Sequence, residues 1–467
     1  MKKSLLILVG LSMFLAATVM AVNPRDMQFE PLRFDLPEPV RFETDNGISV
    51  YFLEDHQLPV ITLSVMFHGG SVYDPPEKSG LAELTATLLR SGGAGTRTPE
   101  EVDEELDYYS IDLSSNAGDE ALVVNMNSLA KNDELAFEIM ADMMRRPRFD
   151  SAKMALEISN LQDEIRRRND EAGNVTRRVY YQTVYGGHPY GRYPTLASVA
   201  ALSRADIVAM HEKYYNPDNC LMAVAGDLTP AELKDLIDRY LGGWSRAGRE
   251  LPEVPRATRQ YEPGVYYAEK DINQAHIRFG HLCMDIKNPD RYAMDIMNFA
   301  LGGGGFISRI MGQVRTTHGL AYSVGTYVYR RPLMGTLFAY CQTRADAMGR
   351  AMEMMLDIIE EVKREGITTE EFELARESII NGFVFNYDTP GKIAGNFAYN
   401  EFHGFPPDQL KRDLEAYQAV TLDDCNRVAA RYLDTEDIVI VVTGNKEMFD
   451  RPMADFGPVT AVSMEIE

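Results

Sequence analysis

The run LSRADIVAMHEKYYNPDNCLMAVAGD at residues 202–227 returns as VTLDDCNRVAARYLDTEDIVIVVTGN at residues 420–445. Ser203 aligns with Thr421, Asp206 with Asp424 and Gly226 with Gly444, all at a constant offset of 218 residues. A chain that repeats itself at this distance is a tandem duplication, so whatever fold the first copy takes, the second takes too. In each copy a Ser or Thr with Asp three residues later precedes an amphipathic run, the pattern of a capping box at a helix start. A β-rich run ending in glycine follows, MAVAG in one copy and IVIVVTG in the other.

Upstream, ISVYFL (48–53) and VITLSVMF (60–67) read as alternating strands, and residues 133–144 and 152–168 read as helices. Strands, then helices, then a closing strand predict an α+β sandwich with helices over one face of a sheet. Between the copies, residues 244–264 carry Pro252, Pro255 and Pro263 among charged residues without helical periodicity, as an exposed connector does. We place a first domain at 38–245, a linker at 246–262 and a second domain at 263–450.

Met1, Lys2 and Lys3, an apolar run over residues 5–17 and the small-residue exit Val19-Met20-Ala21 have the layout of a secretory signal peptide over residues 1–21. A mitochondrial transit peptide would be Arg- and Ser-rich instead, and no cysteine follows the apolar run to take a lipid. The expected location is therefore periplasmic or secreted. After residue 21 no apolar stretch approaches the roughly 20 residues that cross a bilayer, so no membrane anchor is expected. With 47 Lys and Arg against 70 Asp and Glu, the net charge of −23 repels nucleic acid and anionic membrane surfaces. Cys220, Cys283, Cys341 and Cys425 lie far apart without a CxxC pair, and they read as buried thiols rather than a disulfide framework.

Residues 78–96 read KSGLAELTATLLRSGGAGT. This segment resembles the zinc helix of the pitrilysin/insulinase-type peptidases, the M16 family, which read approximately Gly-Leu-Ala-His, two apolar residues, Glu-His, an apolar run and Gly-Thr. In that inverted HxxEH pattern, positions i and i+4 face the same way and supply two imidazoles to zinc, while Glu at i+3 activates the metal-bound water. Laid onto this chain, the first His position is Glu83, the catalytic Glu position is Ala86 and the second His position is Thr87: all three are replaced. The family's third ligand, from a distant helix, is matched by Glu164 in LQDEIRRRND, 77 residues beyond Thr87. Two carboxylates suit a hard cation better than zinc and Thr87 is a poor third ligand, so solvent-facing carboxylates are the expectation and no metal is assigned to this chain. None of the 8 histidines forms an i, i+4 pair, and His211-Glu212 begins a forward HExxH that Tyr215 breaks.

Residues 301–324, LGGGGFISRIMGQVRTTHGLAYSV, are similar to the family's second-domain signature of a glycine run, Ser-Arg, then Arg and a Gly-Leu-Ala-Tyr-Ser-Val-like strand. Arg315 and Tyr322 match the Arg/Tyr pair with which such peptidases hold substrate and help stabilise a tetrahedral oxyanion. The glycine run lacks both GxxxxGK[ST] and a βαβ GxGxxG, so it reads as a flexible turn rather than a phosphate loop. Residues 113–117 (LSSNA) match the family's edge strand that adds an extended peptide, which would make Ser115, Asn116 and Ala117 backbone partners of substrate; an ordinary loop is the equal alternative. The stretches YGGHPYGRYP (185–194) and NPDNCLMAVAGD (216–227) extend the resemblance to residues 38–447.

The resemblance implies two homologous LuxS/metallohydrolase-like α/β sandwich domains in a clamshell, the first an N-terminal-type domain with a degenerate zinc motif, the second a C-terminal-type domain with the Arg/Tyr pair. Half-size members of the family often work as pairs in which one chain carries zinc and the other the Arg/Tyr pair, and the resemblance implies the same here. The implied function is an inactive, substrate-binding or regulatory subunit of a heterodimeric zinc metallopeptidase acting on peptides, with zinc and HxxEH in the partner chain. The alternative is a non-enzymatic scaffold or peptide-binding protein on the same fold.

Overall fold

The duplication takes shape as two six-stranded sheets wound in the same order. The computed structural model describes residues 36–247 and 251–466; the signal-peptide segment 1–21 lies outside them. The first sheet runs β1 (Val40–Glu43), β2 (Ser49–Glu54), β6 (Cys220–Gly226), β3 (Val60–His68), β5 (Ala121–Leu129) and β4 (Asp112–Ala117). The second runs β12 (Val459–Ala461), β7 (Gly264–Glu269), β11 (Val439–Gly444), β8 (Gln274–Leu282), β10 (Thr336–Arg344) and β9 (Ala321–Tyr329). In each sheet the closing strand of the repeat inserts in the middle, parallel to one neighbour (β2 with β6, β7 with β11) and antiparallel to the other. The copies differ at one edge, where β1 is antiparallel to β2 but β12 is parallel to β7.

The helix starts read from the repeat form as capping boxes. Ser203 caps the Arg204–Tyr214 helix with Asp206 reaching back, and Thr421 caps the Leu422–Tyr432 helix with Asp424 doing the same. Each box satisfies amides that a helix end leaves without partners, and replacing such a cap by Ala costs about 1 kcal/mol.

Helices cover both faces of each sheet, not one, because the halves exchange a helix. The Ala172–Tyr185 helix, from the first half, lies on β8 and β11 of the second sheet. The Pro390–Phe402 helix, from the second half, lies on β2 and β6 of the first. Every residue of β6 and of β11 is buried, as a strand covered on both faces must be. Alternation along β11 shows the two faces: Ile440 and Val442 join the core under that half's own helices, while Val439 and Val441 pack with Val175, Val179 and Tyr180 of the exchanged helix. Polar contacts reinforce both exchanges. Arg41 donates two hydrogen bonds to Glu401, at 2.8 and 2.7 Å, and Thr176 is bonded to Thr443 in the buried interior at 2.8 Å. The residues from Pro37 onward accordingly form one compact unit.

None of the four cysteines is paired; Cys220, Cys341 and Cys425 are buried and Cys283 is half-buried. Among the described residues, no helix is long and apolar enough to cross a membrane.

Candidate functional site

Residues 81–91, LAELTATLLRS, form a regular α-helix whose Leu81, Leu84, Leu88 and Leu89 are buried in the first core. Gly80 precedes it at φ +101°, a left-handed conformation that favours glycine. The Asp74 carboxylate accepts from the Gly80 amide at 2.9 Å and from the Ala82 amide at 3.0 Å, which ties the helix start to the preceding loop. Asp74 is only 3% exposed, and burial pushes its pKa up to about 7 despite these bonds and the nearby Arg192.

Glu83, Ala86 and Thr87 line a cavity of about 440 Å³ together with Ser115, Asn116 and Ala117 of β4. Three of the expected positions and the expected peptide-binding strand thus meet at one place. Among the described residues β4 pairs only with β5, so it is a sheet edge that a further strand could join beyond Leu113, whose carbonyl accepts from Arg90 Nε at 2.9 Å.

Glu164 sits on the Ser151–Arg167 helix, which packs against the Leu81–Ser91 helix. Glu83 and Glu164 share a second, larger cavity of about 880 Å³. Glu83 is reached by water yet ringed by protein; that desolvation, and then the Glu164 charge, raise its pKa above the ordinary glutamate value. Two carboxylates that repel each other beside a threonine hydroxyl and a methyl group do not suit zinc: there is no imidazole, and Ala86 offers no base. Among the described residues no cluster of three or more His, Cys, Asp or Glu is placed to hold a metal ion.

The Arg/Tyr pair forms a separate cluster on the second half. Arg315 lies in a π-helical segment, Met311–Thr317, in which His318 N–H donates to the Gln313 carbonyl five residues back. Tyr322, 75% exposed, stands at the start of the edge strand β9. The Arg315 guanidinium lies 5.1 Å from the Tyr322 ring centroid and 4.7 Å from that of Phe306, which is 67% exposed. The two rings hold the cation by cation–π attraction and keep Arg315 beside Tyr322.

The glycine run is not free-standing: residues Phe299–Gly303 form another π-helical turn, and a Cβ on Gly302 would sit 2.5 Å from Thr326 Oγ1 of β9. Glycine is required there so that the turn can lie against the strand. Arg315 and Tyr322 line neither cavity around Glu83; both cavities are walled by residues 71–194.

Two features of the site escaped the sequence. Phe306 completes the Arg315 stack, and no spacing rule marks it. Asp119, on the wall of the smaller cavity, pairs with Arg331 of the second half at 2.7 Å, and Arg331 in turn lies over Tyr190 at 4.2 Å and Tyr329 at 4.8 Å. Beside this cross-link, burial first and Asp119 second push the Glu120 carboxyl up to about 7.

The sequence profile described as "Insulinase (Peptidase family M16)" matches residues 50–195, and that described as "Peptidase M16 inactive domain" matches residues 201–379. The chain belongs to the M16 peptidase family. It is 24% identical over 412 residues to the uncharacterized zinc protease YmxG of Bacillus subtilis, covering 86% of this chain and 97% of that one. Its fold is similar to a peptidase M16 inactive domain from Pseudomonas fluorescens, with a TM-score of 0.81 and 23% identity, covering 89% of this chain and all of that one. It is also similar to the periplasmic protease PqqL from Escherichia coli, with a TM-score of 0.75 and 14% identity, over 94% of this chain and 50% of that one.

Proposed function

We propose that this chain is the proteolytically inactive, peptide-binding subunit of a two-chain M16 zinc peptidase. The observation that carries the reading is the cavity in which Glu83, Ala86 and Thr87 stand where two ligands and a base would be, beside an open strand edge, while Arg315 and Tyr322 remain stacked and exposed elsewhere. The partner chain supplies zinc and HxxEH; this chain supplies Arg315 and Tyr322, whose guanidinium and hydroxyl can hydrogen-bond peptide carbonyls and a developing oxyanion. Substrates are short or unfolded peptides, since only an extended chain can pair with the β4 edge. Residues 1–21 and the likeness to a protein described as periplasmic support a periplasmic or secreted location.

The test is gentle isolation from the native host, with mass spectrometry of whatever co-purifies in stoichiometric amount. A similar-sized chain bearing HxxEH, and chelator-sensitive peptide cleavage by the pair only, is the expected result. Recovery of this chain alone, still binding peptides, would leave the non-enzymatic peptide-binding protein in its place.

A further inference from the structure

The larger cavity around Glu83 also holds arginines that the peptidase reading leaves unused. Arg177 and Arg178 line it, with Arg168 and Tyr193 beside them. The polar partners of the first two are neutral. Arg178 donates to the side-chain carbonyls of Asn169 at 2.6 Å and Gln182 at 3.2 Å, and Arg177 to that of Asn174 at 3.2 Å. The Arg178 Nε–H is buried without an acceptor.

Half-buried arginines elsewhere fall into two groups: Arg309, Arg330 and Arg331 have carboxylates, whereas Arg145 and Arg192 rest on backbone carbonyls and Arg278 on aromatic rings. What sets Arg178 and the exposed Arg177 apart is their place: both line a cavity, and among the described residues neither has a carboxylate within ion-pair distance although the chain carries a net charge of −23. Asp170 and Glu171 share the lining without bonding either guanidinium. Burial, and then the nearby Arg168 charge, lower the Arg178 pKa, and an incoming anion would offset the repulsion between the two guanidinium groups.

We propose that Arg177 and Arg178 form the carboxylate-binding end of this cavity and anchor a peptide there through a negatively charged group, while Glu83 and Glu164 turn that group away from the other end. A carboxylate can take two parallel N–H···O bonds from one guanidinium and carries the opposite charge, neither of which a neutral amide oxygen offers, so exchange of partners favours the anion. The inference rests on the peptide-binding reading above and adds which part of the peptide is held.

The test uses the full chain and a set of N-acetylated, fluorescently labelled short peptides of Ala, Ser and Leu. One ends in a free carboxylate, one in an amide, and one in an amide with a single internal Glu. At least one carboxylate-bearing peptide should bind about tenfold more tightly than the neutral amide. The preference should shrink with added salt and disappear in Arg177→Gln with Arg178→Gln. Arg177→Gln alone, on an exposed side chain, should reduce it without endangering the fold. A gain confined to the free terminus identifies end recognition; a gain from the internal Glu identifies side-chain recognition. Equal binding of all three peptides, or a preference untouched by the substitutions, overturns the anchor and leaves the peptide reading intact. Binding of none overturns both.

Discussion

The Leu81–Ser91 helix and residues 299–317 both lie, in their own halves, between a nine-residue inner strand (β3 or β8) and the edge strand (β4 or β9), and they differ in backbone and in chemistry. The first is a regular helix carrying Glu83, Ala86 and Thr87. The second carries Arg315, beside Tyr322 of β9, on a backbone broken into two π-helical turns. A helix serves its fold and its chemistry through different faces. Leu84 and Leu88 pack the core whatever side chains stand at 83 and 87, so the helix keeps its place independently of the chemistry on its other face. Around Arg315 the two are not separable, because the irregular turns and the glycine close to Thr326 are what set the segment against β9.

Rebuilding the metal motif would strain this contrast most. Glu83→His, Ala86→Glu and Thr87→His together, with Glu164 in place, should raise zinc affinity roughly a thousandfold or more, read by equilibrium dialysis with metal analysis. A folded triple variant that binds no zinc would mean that the helix no longer offers the geometry. Within the same helix, Leu88→Ala should cost about 2–5 kcal/mol in urea unfolding, whereas Thr87→Ala should stay within about 0.5 kcal/mol. Equal losses would erase the division between the two faces.

On the second half, Arg315→Ala or Tyr322→Phe should lower turnover by the assembled two-chain enzyme about tenfold or more while leaving Tm unchanged. Full activity in both variants would end the oxyanion role.

A separate test concerns pH. Asp74 has a pKa of about 7 in the folded chain, against about 3.9 for an unperturbed Asp. The folded state therefore holds its proton more tightly, so the contribution to stability is complete below about pH 4 and is lost as pH rises through about 7. Asp74→Asn should flatten this part of the Tm-versus-pH curve, and an unchanged slope would show that the loop carboxyl is not its source.

Much of the architecture could be read before any coordinates, since an offset of 218 residues with matched caps predicts two sheets of one topology. That Glu83, Ala86 and Thr87 share a side followed from their i, i+3 and i+4 spacing; that Ser115–Ala117 stand beside them did not. The exchanged helices did not follow. Periodicity shows that residues 172–185 have an apolar side but not which sheet receives it; the only hint was that MAVAG and IVIVVTG lack the polar alternation of a strand with one wet face. The π-helical turns, the Phe306 stack and the Asp119–Arg331 pair are likewise settled by tertiary packing, to which local patterns are blind.

The helix exchange also decides how this molecule would come apart. Proteolysis in the proline-rich connector would not release two lobes, because each fragment still wears part of the other across its central strands. A gene cut at that connector would encode pieces with a bare greasy flank, prone to precipitate when made singly and to recover when made together.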